Sequence, residues 1–152
     1  MPHTASLLRV AYRLSSDRAA AEDLVQEAML SAWRGFDRFR EGTNGRAWLF
    51  RILINAVNAR GRKLRSMPAM APIESHDVPV GSSTMALEIS QAFDQLAAEQ
   101  REVLLLTVVE GFTCEEAAGI LEIPIGTVMS RLSRGRQTLR EQLTSRSVGK
   151  EA

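Results

Sequence analysis

Cysteine, histidine and aromatic residues are scarce in this sequence of 152 residues. The single cysteine, Cys114, excludes an intramolecular disulfide and a zinc site. The two histidines, His3 and His76, lie near the N-terminus and in a loop-like segment, so a histidine-based metal or catalytic cluster is not expected. Aromatic residues make up only 5% of the chain, so the core must consist mainly of Leu, Ile, Val, Ala and Met.

Long apolar runs are also absent. No run approaches the roughly 18 apolar residues that a membrane span needs, and the N-terminal sequence MPHTASLLRV lacks the apolar stretch and cleavage site of a signal peptide. No combination of side chains indicates a catalytic centre. We therefore expect a soluble, cytoplasmic protein that needs no cofactor and is not an enzyme.

The net charge of +1 conceals an uneven distribution along the chain. Residues 1–65 contain 12 Lys/Arg and 6 Asp/Glu, whereas residues 66–111 contain 1 and 7. From Ile123 to Arg146 the chain is basic again, with 5 basic residues and one acidic residue. Two separate basic regions favour two contacts with a polyanion, although solvated helix faces explain the charges equally well.

Apolar residues recur with helical spacing, and we find no convincing strand alternation. In the first part of the chain we predict helices over about 5–14, 17–35 and 46–62, with Ser16 or Asp17 capping the second. The residues expected to pack inward are Val25, Met29, Ala32, Trp33 and Phe36 of the second helix and Trp48, Leu49, Ile52, Leu53 and Ala56 of the third.

Residues 66–83, SMPAMAPIESHDVPVGSS, contain three prolines and a glycine without a helical period, and at 18 residues they are too long for a loop inside one compact domain. We therefore predict an all-α protein of two small helical domains, residues 1–65 and 84–152, joined by a flexible linker. The second domain is predicted to contain helices over about 84–96, 99–110, 113–121 and 126–143, with Leu87, Phe93, Leu96, Val128, Leu132 and Leu139 in its core.

The sequence GFTCEEAAGILEIPIGTVMSRLSRGRQTLR has the pattern of a helix-turn-helix. Gly111 is a natural left-handed helix stop, and Thr113 and Glu116 form a predicted capping box for a short helix. A tight turn with Pro124 and Gly126 precedes a basic helix, whose first residues would meet base edges in the major groove. A helical hairpin with a solvated basic face is the alternative. The residues expected to face inward are Ala117, Ala118 and Leu121, and those expected to face DNA are Arg131, Arg134, Arg136 and Arg140.

Two long stretches have a more specific pattern. The first is DRAAAEDLVQEAMLSAWRGFDRF followed by AWLFRILINAVNARGRK, and the second is QREVLLLTVVEGFTCEEAAGILEIPIGTVMSRLSRGRQTLR. They resemble region two and region four, respectively, of the extracytoplasmic-function group of bacterial RNA polymerase sigma factors, in the sigma-70 family. They occur in the expected order and cover most of the chain, with a linker where this group lacks region three. The resemblance implies a region-two helical bundle, a region-four helix-turn-helix, and a role in directing RNA polymerase to specific promoters.

In region two, the resemblance implies that the second helix binds the clamp helices of the RNA polymerase β′ subunit. The matching residues lie opposite the predicted core stripe. Acidic residues in the N-terminal half of a helix are also favoured by its dipole alone, which is the alternative explanation. The expected contacts are Asp23, Gln26, Glu27 and Leu30.

The third helix matches the segment that reads the promoter element near −10 as melted single strand. Four polar residues at i, i+4, i+7 and i+11 share one helical face. Amides can pair with the edge of an unpaired base and arginines can follow the backbone, although the asparagines could simply be solvated. These residues are Arg51, Asn55, Asn58 and Arg62; the resemblance adds Thr43 and Asn44 from the preceding loop, and Arg60 and Lys63 as phosphate contacts.

In region four, the basic helix matches the reader of the promoter element near −35. Met129 departs from the family, which often has Lys or Arg there. The missing charge should weaken phosphate binding by about one unit of salt slope, or the side chain favours a thymine methyl group instead. The expected contacts are Thr127, Ser130, Arg131, Arg134 and Arg136.

The partners implied by the resemblance are core RNA polymerase, through its β′ clamp helices and β flap, promoter DNA, and an anti-sigma factor. Two other functions are possible. A sigma mimic would sequester an anti-sigma factor without binding promoters, and it would lack the polar stripe that Arg51, Asn55, Asn58 and Arg62 form here. A plain helix-turn-helix regulator would leave the segment EDLVQEA and the polar stripe unexplained.

Overall fold

The computed structural model describes residues 3–15, 17–38, 44–66 and 84–150. These residues contain seven α-helices and no strand, which confirms the all-α fold, whereas the predicted linker beyond Ser66 lies outside them. No helix among them is long and apolar enough to cross a membrane. The helices are α1 (Thr4–Ser15), α2 (Arg18–Arg34), α3 (Gly45–Ser66), α4 (Thr84–Asp94), α5 (Ala98–Leu104), α6 (Cys114–Leu121) and α7 (Ile125–Lys150), with a short 3₁₀ turn at Phe36–Arg38 and a π-helix at Leu105–Val109.

The chain divides into two compact units, of which the first is a bundle of α1, α2 and α3. Leu7 and Val10 of α1 are buried, and α3 contributes Phe50, Leu53 and Ile54. Most of the α2 residues between them are small, so the helices can approach closely. The buried residues of α2 are Ala20, Ala21, Leu24, Val25, Ala28 and Ala32.

Both ends of α2 are set by local interactions. Oδ1 of Asp17 accepts a hydrogen bond from the N–H of Ala19 at 3.0 Å, so Asp17 is the N-cap. At the other end, the N–H of Gly35 donates to the carbonyl oxygen of Ser31 at 2.9 Å. A Cβ atom on Gly35 would lie 3.8 Å from Cζ2 of Trp48, so the indole packs against the end of α2.

The core face of α2 differs from the predicted stripe. Val25 and Ala32 are buried and Met29 is half-buried, but Trp33 and Phe36 are exposed. The prediction followed the large apolar residues, whereas the face that packs consists mainly of alanines, because a close helix contact excludes large side chains. The prediction of Trp33 and Phe36 as core residues was therefore wrong.

The core face of α3 is rotated relative to the prediction. Leu53 is buried as expected, but its buried neighbours are Phe50 and Ile54, at the i−3 and i+1 positions. The guanidinium of Arg46 lies over the Phe50 ring, 5.3 Å from its centroid. The other residues predicted to pack inward, Trp48, Leu49, Ile52 and Ala56, are only half-buried.

In the second unit, α7 packs against α4 and α5. Val128 and Leu132 of α7 are buried as predicted, whereas Leu139 is half-buried. At Gly135 the helices approach closely, since a Cβ atom there would lie 3.1 Å from Cδ1 of Leu104. Further buried residues are Ala92, Leu96, Val103, Leu105, Leu106, Phe112 and Ala117; the predicted core residues Leu87 and Phe93 are half-buried.

The helix that begins with α5 is not a uniform α-helix, a feature the sequence did not predict. It continues as the π-helix Leu105–Val109. The hydroxyl of Thr107 donates to the carbonyl oxygen of Val103 at 2.8 Å, and such a side-chain bond competes with the backbone ladder. Gly111 follows this segment with φ +78°, the left-handed conformation that the sequence predicts.

The helix-turn-helix is formed by α6 and α7. The predicted capping box is present: the N–H of Glu116 donates to Oγ1 of Thr113 at 3.1 Å, and the N–H of Thr113 donates to Oε1 of Glu116 at 3.0 Å. The left-handed residue of the turn is Glu122 (φ +58°), which the sequence did not predict, and α7 begins at Ile125, one residue before the predicted start at Gly126. Of the residues predicted to face inward, Ala117 is buried, and Ala118 and Leu121 are half-buried.

Candidate nucleic-acid interface

The outer face of α2 combines acidic and apolar side chains. The four residues predicted to bind a partner, Asp23, Gln26, Glu27 and Leu30, are all exposed. The first turn of α2 contains no acidic residue. Because the effect of the helix dipole falls off within the first turn, the dipole does not explain these carboxylates.

Trp33 extends this outer face and was missed by the sequence analysis. It follows Gln26 by seven residues and Leu30 by three, so it lies on the same side of α2, and it is 81% exposed. Phe36 is exposed beyond the end of the helix. Large apolar side chains clustered in water mark interaction surfaces. The i, i+7 spacing from Gln26 was the signal that could have identified Trp33.

The polar stripe of α3 lies on one continuous helix. Its residues therefore share a face, as their spacing predicts. The buried residues Phe50 and Leu53 lie on the packed side of α3, and Ile54, three residues after Arg51 and four before Asn58, is buried at the edge of the stripe. Among the predicted contacts, Arg51, Asn55, Arg62 and Lys63 are exposed, and Asn58 and Arg60 are half-buried.

The residues at the start of α3 have structural roles that their sequence did not reveal. Oδ1 of Asn44 accepts a hydrogen bond from the N–H of Ala47 at 3.2 Å, so Asn44 caps the helix. Trp48 is half-buried and lies three residues before Arg51 and seven before Asn55, on the same face as the stripe and not opposite it. Thr43, predicted together with Asn44, lies outside the described residues.

The predicted contacts on α7 fall into two groups. Ser130, Arg134 and Arg136 are exposed, whereas Thr127 and Arg131 are half-buried. Nη2 of Arg131 lies 3.8 Å from Oε2 of Glu99 at the start of α5, and its side chain is only 26% exposed. Arg131 therefore faces the protein more than the other basic residues of this helix do.

Within the part of the chain that the structure describes, no three His, Cys, Asp or Glu side chains come together in a group that could hold a metal ion. Cys114 is a free, half-buried thiol. The described surfaces are suited to binding, since they offer amides, guanidinium groups and exposed apolar side chains.

Comparison with known proteins relates both units to one family. Residues 1–66 match the family model for sigma-70 region 2, and residues 86–139 match that for sigma-70 region 4. The chain is 37% identical to the ECF RNA polymerase sigma factor EcfG of Rhodopseudomonas palustris, over 88% of this chain and 77% of the relative. It is 35% identical to the ECF sigma factor SigE of Mycolicibacterium smegmatis, over 95% of this chain but only 60% of the relative.

A solved structure supports the same relationship. The sigma factor RpoE of Bartonella quintana, determined in complex with the anti-sigma factor NepR, superposes with a TM-score of 0.76 at 37% identity, covering 93% of this chain and 91% of that one. The chain therefore belongs to the sigma-70 family of RNA polymerase sigma factors, and within it to the extracytoplasmic-function group. Sigma factors are regulators of transcription, and this relationship does not favour the sigma mimic.

Proposed function

We propose that the chain is an alternative sigma factor that binds core RNA polymerase, opens promoter DNA near −10 and reads duplex DNA near −35. The observation that carries the proposal is the exposed stripe of Arg51, Asn55 and Arg62 on α3. This stripe suits an unpaired strand, because amides can meet base edges and guanidinium groups can meet phosphates. We infer no catalytic activity, a cytoplasmic location and no need for a cofactor.

Core polymerase would bind to the outer face of α2. Asp23 and Glu27 supply charge, Gln26 supplies an amide, and Leu30 and Trp33 supply apolar surface that is removed from water on binding. The proposed ligand is the pair of β′ clamp helices. The second unit would contact the β flap, which keeps both DNA-binding surfaces on one polymerase.

The −10 strand would bind along α3 after the duplex opens. Asn55 and Asn58 can each donate and accept hydrogen bonds at the edge of a base that has lost its partner. Arg51, Arg60, Arg62 and Lys63 are placed to follow the phosphates. Thr43 and Asn44 are proposed to contribute to the base pocket from the preceding segment.

The −35 duplex would bind to α7. Ser130 reaches base edges, while Arg134 and Arg136 reach phosphates or guanine, and Thr127 and Arg131 contact the flank of the site. The Arg131–Glu99 pair is long, at 3.8 Å, and the Glu99 side chain is 68% exposed, so water screens the attraction and the pair is weak. Arg131 can therefore exchange Glu99 for a phosphate at little cost.

Two weak DNA contacts become effective when both are tethered to polymerase, because the second contact is then intramolecular. We also propose an anti-sigma factor as a partner. The support is that the related RpoE was solved with its anti-sigma factor NepR, and that the 25% identical CnrH was solved with the cytosolic domain of CnrY.

The test of this function separates polymerase binding from promoter opening. In the double variant Asn55→Ala, Asn58→Ala we expect unpaired thymines near −10 to lose reactivity toward permanganate, while the affinity for core polymerase is unchanged. Gln95→Ala removes an exposed amide from the second unit and is the matched control. Loss of core polymerase binding by the double variant would show that the Asn55 and Asn58 face of α3 does not serve DNA binding as proposed.

A further inference from the structure

The first two turns of α7 expose a surface without charge. Gly126, Met129, Ser130 and Ser133 are all exposed, and Met129 is 57% exposed. Ile125 is exposed one turn before Met129, at the i−4 position. In a helix-turn-helix these turns are the ones that meet base edges. An apolar side chain is therefore presented where sequence is read.

Few basic residues lie beside this surface. Arg131 is the only basic residue among residues 125–133, and it is held 3.8 Å from the Glu99 carboxylate on the flank of the helix. Arg134 and Arg136 begin one turn later. Guanine offers two acceptors in the major groove and is typically read by the paired donors of Arg or Lys, and no Arg or Lys lies directly beside Met129.

We propose that Met129 reads the 5-methyl group of a thymine in the upstream promoter element. Thymine carries the one methyl group displayed in the major groove of ordinary DNA, and apolar side chains are its usual contacts. The unbranched, polarisable methionine side chain can adjust to such a target. This inference rests on the proposed function, since it names the base chemistry that α7 selects.

The space beside Met129 is open. A Cβ atom on Gly126 would meet no atom within 4 Å, so no protein group fills the surface here. A nucleic acid can therefore come close to the backbone next to Met129.

The experiment begins with holoenzyme assembled from the full chain and core polymerase. Duplexes are selected from a promoter pool randomised in the upstream element, and each thymine of the best duplex is replaced in turn by deoxyuridine, which lacks only the methyl group. At one thymine we expect affinity to fall about fourfold, the effect of ~0.8 kcal/mol for one buried methylene-sized group. In Met129→Ala, the same replacement should have no further effect.

Met85→Ala is the matched control, because Met85 is 70% exposed on α4 and the change is chemically identical; it should retain the deoxyuridine effect.

Met129→Arg should shift the preferred base at that position to guanine and raise the salt slope by about one unit. A best duplex without a sensitive thymine, or a sensitivity that persists in Met129→Ala, overturns the inference while the proposed function stands. If the wild-type holoenzyme selects no upstream sequence at all, the proposed function fails and this inference fails with it.

Discussion

Three asparagines lie on or beside α3, and each has a different environment. Asn44 caps the helix through its side-chain oxygen, Asn55 is exposed, and Asn58 is half-buried. Asn44 is exposed too, but its capping hydrogen bond contributes to folding, whereas an exposed side chain away from such a feature contributes little. The residue type alone did not distinguish these roles, because the cap depends on where the helix begins.

We expect Asn44→Ala and Asn55→Ala to differ in their effect on the stability of the first unit. Asn44→Ala should lower the stability of the first unit by about 0.5–2 kcal/mol through loss of the cap, whereas Asn55→Ala should change it by less than about 0.5 kcal/mol. Thermal unfolding followed by circular dichroism measures both, and Asn44→Asp, which keeps a capping oxygen, is the control. A large loss of stability in Asn55→Ala would mean that its side chain supports the fold.

Trp33 is expected to be a binding residue and not a packing residue. Its truncation in Trp33→Ala should leave stability within about 0.5 kcal/mol but weaken binding to core polymerase by at least about tenfold, since exposed tryptophans dominate interface energies. Fluorescence anisotropy of labelled protein titrated with core enzyme gives the affinity. Met85→Ala removes exposed apolar surface elsewhere and should bind normally. Unchanged affinity in Trp33→Ala would exclude it from the interface.

At the scale of elements, the short helix α6 depends on its capping box. Thr113→Ala removes the acceptor for the Glu116 N–H and should cost the second unit about 1 kcal/mol, whereas Thr113→Ser retains the hydroxyl and should cost little. Hydrogen exchange of α6 amides measures the local effect. Equal protection in the two variants would show that packing, and not the cap, determines the start of α6.

Two glycines of α7 should respond to alanine in opposite ways. Gly126→Ala meets open space and should raise stability by up to about 1 kcal/mol while weakening binding to the upstream duplex. Gly135→Ala places a Cβ atom 3.1 Å from Leu104 and should lower stability. Chemical denaturation and duplex titration of the holoenzyme provide the two readouts. If Gly126→Ala bound duplex normally, close approach at this position would be excluded.

The sequence predicted the helices, a cap at Ser16 or Asp17 that the structure assigns to Asp17, the cap at Thr113 and the stop at Gly111, because these depend on a few neighbouring residues. It did not predict which side of α2 packs, because the contact face is made of alanines and the larger Trp33 points to solvent. Nor did it predict the π-helix. The hydrogen bond from the Thr107 hydroxyl to the Val103 carbonyl is compatible with an ordinary α-helix, so the threonine alone does not indicate a π-helix. Which side of a helix is buried depends on the helices that pack against it, and the local sequence pattern does not specify those helices.

At the scale of the whole molecule, the two units bear different surfaces for one task. The first presents the outer face of α2 and the stripe of α3, and the second presents α7. In the proposed function neither surface requires high affinity, because attachment to one polymerase would make the second contact intramolecular. The basic charges concentrated in residues 1–65 and 123–146 fit this division, with the acidic residues largely between them.

The central claim is that the chain initiates transcription at specific promoters. Run-off transcription with purified chain and core RNA polymerase, performed across a promoter library, tests it most directly. We predict transcripts from a subset of promoters that share one element near −10 and one near −35, and none from core polymerase alone. Absence of initiation at every promoter, together with retained binding to an anti-sigma factor, would contradict the claim and identify the chain as a sigma mimic.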